Sequence, residues 1–235
     1  SGTFEKLDVP PTLVSFAITT EDAKNIVSPE YKAAGHPVLW LKPQYRDELP
    51  VKESLLALFA YVHQLVLDGK LASIYTPTYG GAAEAVLKQC MGNDIGFDFA
   101  PSLSVEDIFG YQYGSFLLEL RDAADRDAIY NDPTVKAANI IVADLGVTTD
   151  NAEIRYNDET LKLSDLEASY EDKLEKVFTC NMNLEKDSEE SAADVTIPDY
   201  TEEEWVAPAI QVEKPHVLIP VFPGNNCEYD SAKAC

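Results

Sequence analysis

Two glycines at the head of a helix are the residues best placed to do chemistry in this 235-residue sequence. Gly80 and Gly81 close the turn Thr78-Tyr79-Gly80-Gly81, after a strand read over Leu71 to Tyr75 and before an alanine-rich helix read over Ala82 to Cys90. Backbone N–H groups in such a turn can approach an anion, and the helix dipole favours negative charge there. Thr78, Tyr79, Gly80 and Gly81 are therefore the candidate phosphate- or nucleotide-binding residues. The same pair also suits a plain strand-to-helix connector in which glycine supplies a positive φ. A typical phosphate site adds Lys or Arg to the backbone amides, and none stands between Leu71 and Val86.

Other reactive side chains do not assemble by spacing. Cys90, Cys180, Cys227 and Cys235 are scattered without a C-x-x-C pair, and the three histidines complete no zinc set. His63 falls mid-helix with no acid at i±4 and reads as a packing or surface residue. No metal ligand and no catalytic residue is predicted. Cysteines so scattered fit a reduced, cytoplasmic setting.

The elements around the turn follow from apolar periodicity. Ile95, Phe97 and Phe99 alternate with Gly96 and Asp98, giving a strand with one apolar face. Gly92-Asn93 before it reads as a left-handed helix cap. Leu55, Leu58, Phe59, Val62, Leu65 and Val66 mark one stripe of a helix from Lys52 to Asp68, closed by Gly69. Runs at 12–18, 38–41, 115–120 and 139–145 read as further strands, the first of them buried in a sheet. Ser28-Pro29-Glu30 reads as the start of a short helix, Ser104 as the cap of a helix over 105–109, and 122–130 as a helix stopped at Pro133. Strands at 153–156 and 160–163 flank Asn157-Asp158-Glu159 as a hairpin, and Ser164-Asp165-Leu166-Glu167 fits a capping box.

From Glu185 to Glu204 the pattern dissolves into an acidic, aperiodic stretch, read as a linker with Tyr200 and Trp205 as aromatic anchors. Then Val217 to Phe222 reads as a buried strand, 223–226 as a tight turn and 230–235 as the start of a helix, the opening of an α/β domain. Apolar content of 46% suits a globular core, and a net charge of −23 argues against partners held by non-specific attraction to nucleic acid or anionic membrane.

These stretches carry a resemblance. The strand, Gly-Gly turn, alanine-rich helix and I-G-F-D-F strand of Leu71 to Phe99 resemble the C-terminal domain of the aminoimidazole ribonucleotide synthetase superfamily. The run P-H-V-L-I-P-V-F-P-G-N-N-C-E-Y-D-S-A-K-A resembles the opening of the glutamine amidotransferase domain of phosphoribosylformylglycinamidine synthases of the single-chain type. The resemblance implies an α+β domain over residues 1–180, a mixed sheet layered with helices. An acidic linker over 181–214 follows, then the first strand and helix start of a class I glutaminase over 215–235.

It further implies an internal piece of a carbon–nitrogen ligase of purine biosynthesis that uses ATP, Mg2+ and glutamine to turn formylglycinamide ribonucleotide into the amidine. Its implied partners are the ATP-binding and glutaminase domains of the same parent chain, with a small-molecule substrate and neither nucleic acid nor membrane. The family's Ser-Asp-Gly-Gly-Leu turn and F-x-E-E-x-G segment correspond to Thr78-Tyr79-Gly80-Gly81-Ala82 and Phe109-Gly110-Tyr111-Gln112-Tyr113-Gly114, where Tyr and Gln stand in place of acids. Tyrosine cannot supply the charge and chelating oxygens of a carboxylate. The piece itself is thus expected to be non-catalytic, to belong to the structural half of such an enzyme, and to hold no cofactor tightly. Selenophosphate synthetase or thiamine-phosphate kinase types, and a non-enzymatic interaction domain, are the alternatives. Residues 217–226 speak against the first two.

Overall fold

A computed structural model of the chain describes residues 2–4, 6–176, 214, 216–222 and 226–235. The chain divides into two units, Ser1–Met182 and Asn183–Cys235. In the first, strands β1 (Gly2–Phe4) and β2 (Leu7–Val9) pair as a small hairpin. The main body follows with β3 (Pro37–Lys42), the short pair β4 (Tyr45–Arg46) and β5 (Leu49–Pro50), and helix α1 (Lys52–Leu67). Next come β6 (Leu71–Tyr75), α2 (Gly81–Met91), β7 (Gly96–Phe99), α3 (Val105–Phe109), β8 (Phe116–Leu120), α4 (Ala124–Asn131) and α5 (Pro133–Ala137). Strands β9 (Ile141–Thr149), β10 (Glu153–Tyr156) and β11 (Glu159–Lys162) and helix α6 (Leu163–Glu171) complete the body. The second unit contains α7 (Glu228–Ala234).

Seven strands form one mixed sheet in the order β11-β10-β7-β9-β3-β8-β6, parallel only between β7 and β10. Alternation along the central strand β3 explains why helices must cover both faces. Val38 and Trp40 turn toward α2 and α3, while Leu39 and Leu41 turn toward α1 and α4. All four are fully buried, and a strand so placed needs apolar residues at every position. The fold class is α+β, a mixed sheet between helical layers.

The helix over 105–109 is capped as expected. The Ser104 hydroxyl accepts the Asp107 N–H at 3.1 Å, and the Asp107 carboxylate accepts the Ser104 N–H at 2.9 Å. Gly69 ends α1 at φ +67°.

Several expectations are corrected. Residues 12–18 form no strand: they join no ladder among the described residues, and Leu13, Phe16 and Ile18 are 92%, 88% and 95% exposed. An apolar run specifies a preference for burial but cannot form a ladder without a partner edge. The same holds for 216–222, where no strand forms and Leu218 and Phe222 are exposed. No short helix starts at Ser28. Helix α6 begins one residue earlier than the proposed capping box, at Leu163, with Lys162 at its N-cap and no side-chain cap. Leu163 is buried, so packing sets that start rather than Ser164. The left-handed residue after α2 is Asp94 (φ 54°), not Gly92, which is still helical at φ −68°. Pro133 does not merely stop a helix. It opens α5 at the first helical position, with Asp132 accepting the Thr134 N–H at 2.7 Å. The acidic stretch 185–204 and residues 223–225 lie outside the described residues. Among the described residues, no helix is long and apolar enough to cross a membrane.

Candidate functional site

Strand β6 lies at the edge of the sheet and delivers the chain into the turn at 76–80. Thr76 Oγ1 donates to the Ser115 carbonyl at 2.9 Å, tying this turn to the segment before β8. Within the turn the Gly81 N–H donates to the Thr78 carbonyl at 3.1 Å. Gly81 has a φ of +68°, and a Cβ there would lie 2.6 Å from the Ile108 carbonyl oxygen and 2.9 Å from that of Gly110. Its lack of a side chain is therefore required twice, by backbone conformation and by the close pass of α3's end.

This contact brings together two stretches that the sequence keeps thirty residues apart. Tyr79 of the turn packs against Tyr111, ring centroids 5.5 Å apart, and Tyr111 stacks on Tyr113 at 5.8 Å with a 9° tilt. The Tyr79 hydroxyl beside it raises the Tyr111 phenol above its ordinary value. Tyr45 Oη donates to the Tyr113 carbonyl at 3.0 Å, anchoring the far end of the segment.

The amide at the head of α2 is already occupied. Glu84, one turn into the helix, accepts the Gly80 N–H at 2.7 Å and the Thr78 hydroxyl at 3.1 Å on the same oxygen, Oε2. Its other oxygen pairs with Lys88 Nζ at 2.6 Å. Lys88 first, and then the Gly80 amide against the opposing effect of burial, holds the Glu84 carboxyl below the ordinary carboxylate range. The chain thus places its own carboxylate where an incoming anion would bind. The i, i+4 spacing of Glu84 and Lys88 was visible in the sequence, but its reach back to Gly80 was not.

Beside the turn, α2, α3, the β10–β11 hairpin and α6 enclose an apolar cavity of about 390 Å³, whose walls include Ala83, Leu87, Phe99, Ile108, Ile154 and Leu166. Gly80 and Glu84 stand at its rim with Glu159. No group of three or more His, Cys, Asp or Glu suited to a metal ion occurs among the described residues. With Glu84 the turn's one carboxylate and already bonded, and no Lys or Arg between Leu71 and Val86, these residues alone do not make a Mg2+–nucleotide site.

The remaining candidates are dispersed. Cys90 is buried, and burial pushes its thiol far above its usual range, the opposite of an activated nucleophile. His63 lies on the surface, 3.1 Å from Glu21. His36 instead meets a group that sequence reasoning passed over. Glu119 is fully buried, and its carboxylate takes His36 Nδ1 at 2.7 Å together with the backbone N–H groups of Lys32 and Ala33. It fastens the 31–36 loop to β8. An acid at an inward position of the apolar strand FLLEL was the available signal.

No family model and no curated protein sequence matches the chain. Solved structures do match. Phosphoribosylformylglycinamidine synthase II from Thermotoga maritima is similar at 9% identity over 60% of this chain, with a TM-score of 0.50. The T. maritima PurL complexed with ADP is similar at 8% identity, again over 60% of the chain with a TM-score of 0.50. HypE of E. coli, a hydrogenase maturation protein, is similar at 16% identity over 59% of this chain and 52% of its own, at a lower TM-score of 0.44. At such identities the likeness to the synthase is one of fold: the chain has the aminoimidazole-ribonucleotide-synthetase-like α+β fold. It spans 27% of the length of either T. maritima chain.

Proposed function

We propose that this chain is a domain of an ATP-dependent enzyme of the aminoimidazole ribonucleotide synthetase superfamily. More particularly, we propose a piece of a phosphoribosylformylglycinamidine synthase, the ligase that makes formylglycinamidine ribonucleotide from the formylglycinamide with ATP, Mg2+ and glutamine. One observation carries the reading. A body with the fold of the T. maritima synthase, Ser1–Met182, is followed in the same chain by the glutaminase-like run starting at Pro215.

In this reading residues 1–180 are the synthetase-type C-terminal domain, 181–214 the linker and 215–235 the start of the amidotransferase. The domain's role is architectural. Tyr79 and Tyr111 fill positions where the resembling family carries acids, Glu84 closes the Gly80 amide, and no cysteine of the sequence stands in a G-x-C-x-G elbow. ATP and Mg2+ belong to the parent enzyme. The turn 78–81 gives a phosphate no more than one backbone wall, and the cations must come from the ATP-binding domain. Sequencing the flanking gene is the direct test. A nucleotide-binding domain before Ser1 and a G-x-C-x-G elbow after Cys235 are expected. The encoded full-length protein should release ammonia from glutamine and form the amidine, while the 235-residue chain alone does neither. An intact gene product without amidine-forming activity overturns the reading.

A further inference from the structure

The cavity beside the turn is more than a packing defect, because large apolar side chains stand exposed around its mouth. Phe109 at the end of α3 is 60% exposed, Tyr79 76%, Tyr111 54%, and Val105 and Leu161 are each about half exposed. Val105, Phe109 and Leu161, from two separate segments, line the cavity itself, while Tyr79 adjoins its lining residue Gly80 and packs against Tyr111. Isolated exposed apolar residues are ordinary, but a contiguous patch over a pocket marks a binding surface. Aromatic residues around a pocket that admits an anchor side chain are the usual composition of an interface centre.

Charge decides the kind of partner. The segments forming the walls, 80–87, 99–109 and 154–166, carry the acids Glu84, Glu106, Asp107, Asp158, Glu159 and Asp165 against Arg155 and Lys162, with Lys88 just beyond the first segment pairing with Glu84 at 2.6 Å. Arg155 lies 3.6 Å from Asp98, and Lys162 lines a different hollow with Asp94 and Asp150. Glu159 at the cavity rim makes no ion pair among the described residues. The stacked faces of Tyr111 and Tyr113 beside this opening suit a guanidinium, which aromatic faces attract. A second copy of a chain carrying −23 meets repulsion there, and so does nucleic acid.

We propose that the cavity between α2, α3 and the β10–β11 hairpin, with Tyr79, Tyr111 and Tyr113 beside it, is a docking surface for a basic protein segment. A large apolar residue enters the cavity, and flanking arginines lie over the tyrosines and against Glu159. This does not depend on the ligase reading.

The probe is the peptide acetyl-Arg-Leu-Trp-Arg amide, titrated into the 15N-labelled chain. Two controls accompany it: the same peptide with Glu for both Arg, and one with Gly for Leu and Trp. The expected result is amide shifts concentrated at Gly80, Val105, Phe109 and Leu161, with both control peptides at least tenfold weaker. Glu159→Lys and Tyr111→Ser, both at exposed positions, should each weaken the peptide severalfold, and Leu161→Asp at least tenfold. Should Leu161→Asp unfold the chain, the two surface variants decide. Absence of binding, shifts scattered elsewhere, equal binding by either control, or indifference to the variants overturns the proposal. So does concentration-dependent dimerisation abolished by Leu161→Asp, which would give the face to a second copy.

Discussion

The carboxylate of Glu84 accepts the backbone N–H of Gly80 at 2.7 Å, so the helix end best suited to an anion already holds one of the chain's own. Any phosphate arriving at the turn must displace it from Gly80, Thr78 and Lys88 together. The 235-residue chain should therefore bind ADP with Mg2+ no tighter than roughly millimolar, about −4 kcal/mol. Calorimetric titration measures this. A micromolar constant, abolished by Gly81→Val, would show a complete site in this domain and remove the argument for an architectural role.

Gly81→Ala should lower stability by about 2 kcal/mol or more in urea unfolding. The left-handed conformation costs an alanine about 1–2 kcal/mol, and the new Cβ meets two backbone carbonyls that cannot swing aside. A loss below about 0.5 kcal/mol would contradict the close approach of the turn to α3.

Breaking the arrangement at Glu119 is expected to be of similar cost. Glu119→Ala leaves His36 and the Lys32 and Ala33 amides without their acceptor, and a buried or partly buried polar group left unsatisfied costs about 1–3 kcal/mol. Denaturant unfolding should show a loss of that order, with Glu119→Gln intermediate. Equal stability of Glu119→Ala and the parent would refute the anchoring role.

Acid should act through the caps. The Ser104 N–H and hydroxyl hold the Asp107 carboxyl below the ordinary carboxylate range. A carboxylate depressed in the folded state contributes stability above its unfolded value, near pH 4, and loses that contribution as pH falls through the folded one. The urea midpoint should be level from pH 8 to 5.5 as far as this group is concerned and fall below about pH 4. Asp107→Asn should start lower and fall less steeply. Parallel curves would remove Asp107 from the account.

Thiol accessibility gives a further check. Cys227 and Cys235 are exposed and Cys90 is buried. Brief treatment of the native chain with a maleimide should mark Cys227 and Cys235 in peptide maps, and Cys90 only after denaturant is added. Labelling of native Cys90 at a rate like that of Cys227 would contradict its burial.

Much of the body was legible because its signals are local. Ser104 and Asp107 announce α3 by type and spacing, and the alternation of Phe97 and Phe99 announces β7. Leu13, Phe16 and Ile18 misled because apolar periodicity reports what a segment prefers, not whether an edge is present to receive it. The site was half legible. Gly81 could be placed at a turn, but the carbonyls of Ile108 and Gly110 that require it come from another segment, as does Tyr111 against Tyr79. Glu119 looked like one more acid in a strongly acidic chain, and only its three partners from the 31–36 loop reveal what it does.

The position of β3 bears on how the protein is made. This strand lies inside the sheet, paired on both sides with β8 and β9, yet it is among the first parts of the body to leave the ribosome. Its neighbours at residues 116–120 and 141–149 emerge only after roughly another seventy and a hundred residues, on the order of ten seconds at usual elongation rates. Through that interval the segment Pro-Val-Leu-Trp-Leu has no ladder, and only α1 and then α2 are available to cover it. A nascent chain held there is a natural client for a chaperone. Folding dominated by such distant pairings is also expected to be slow once the chain is free.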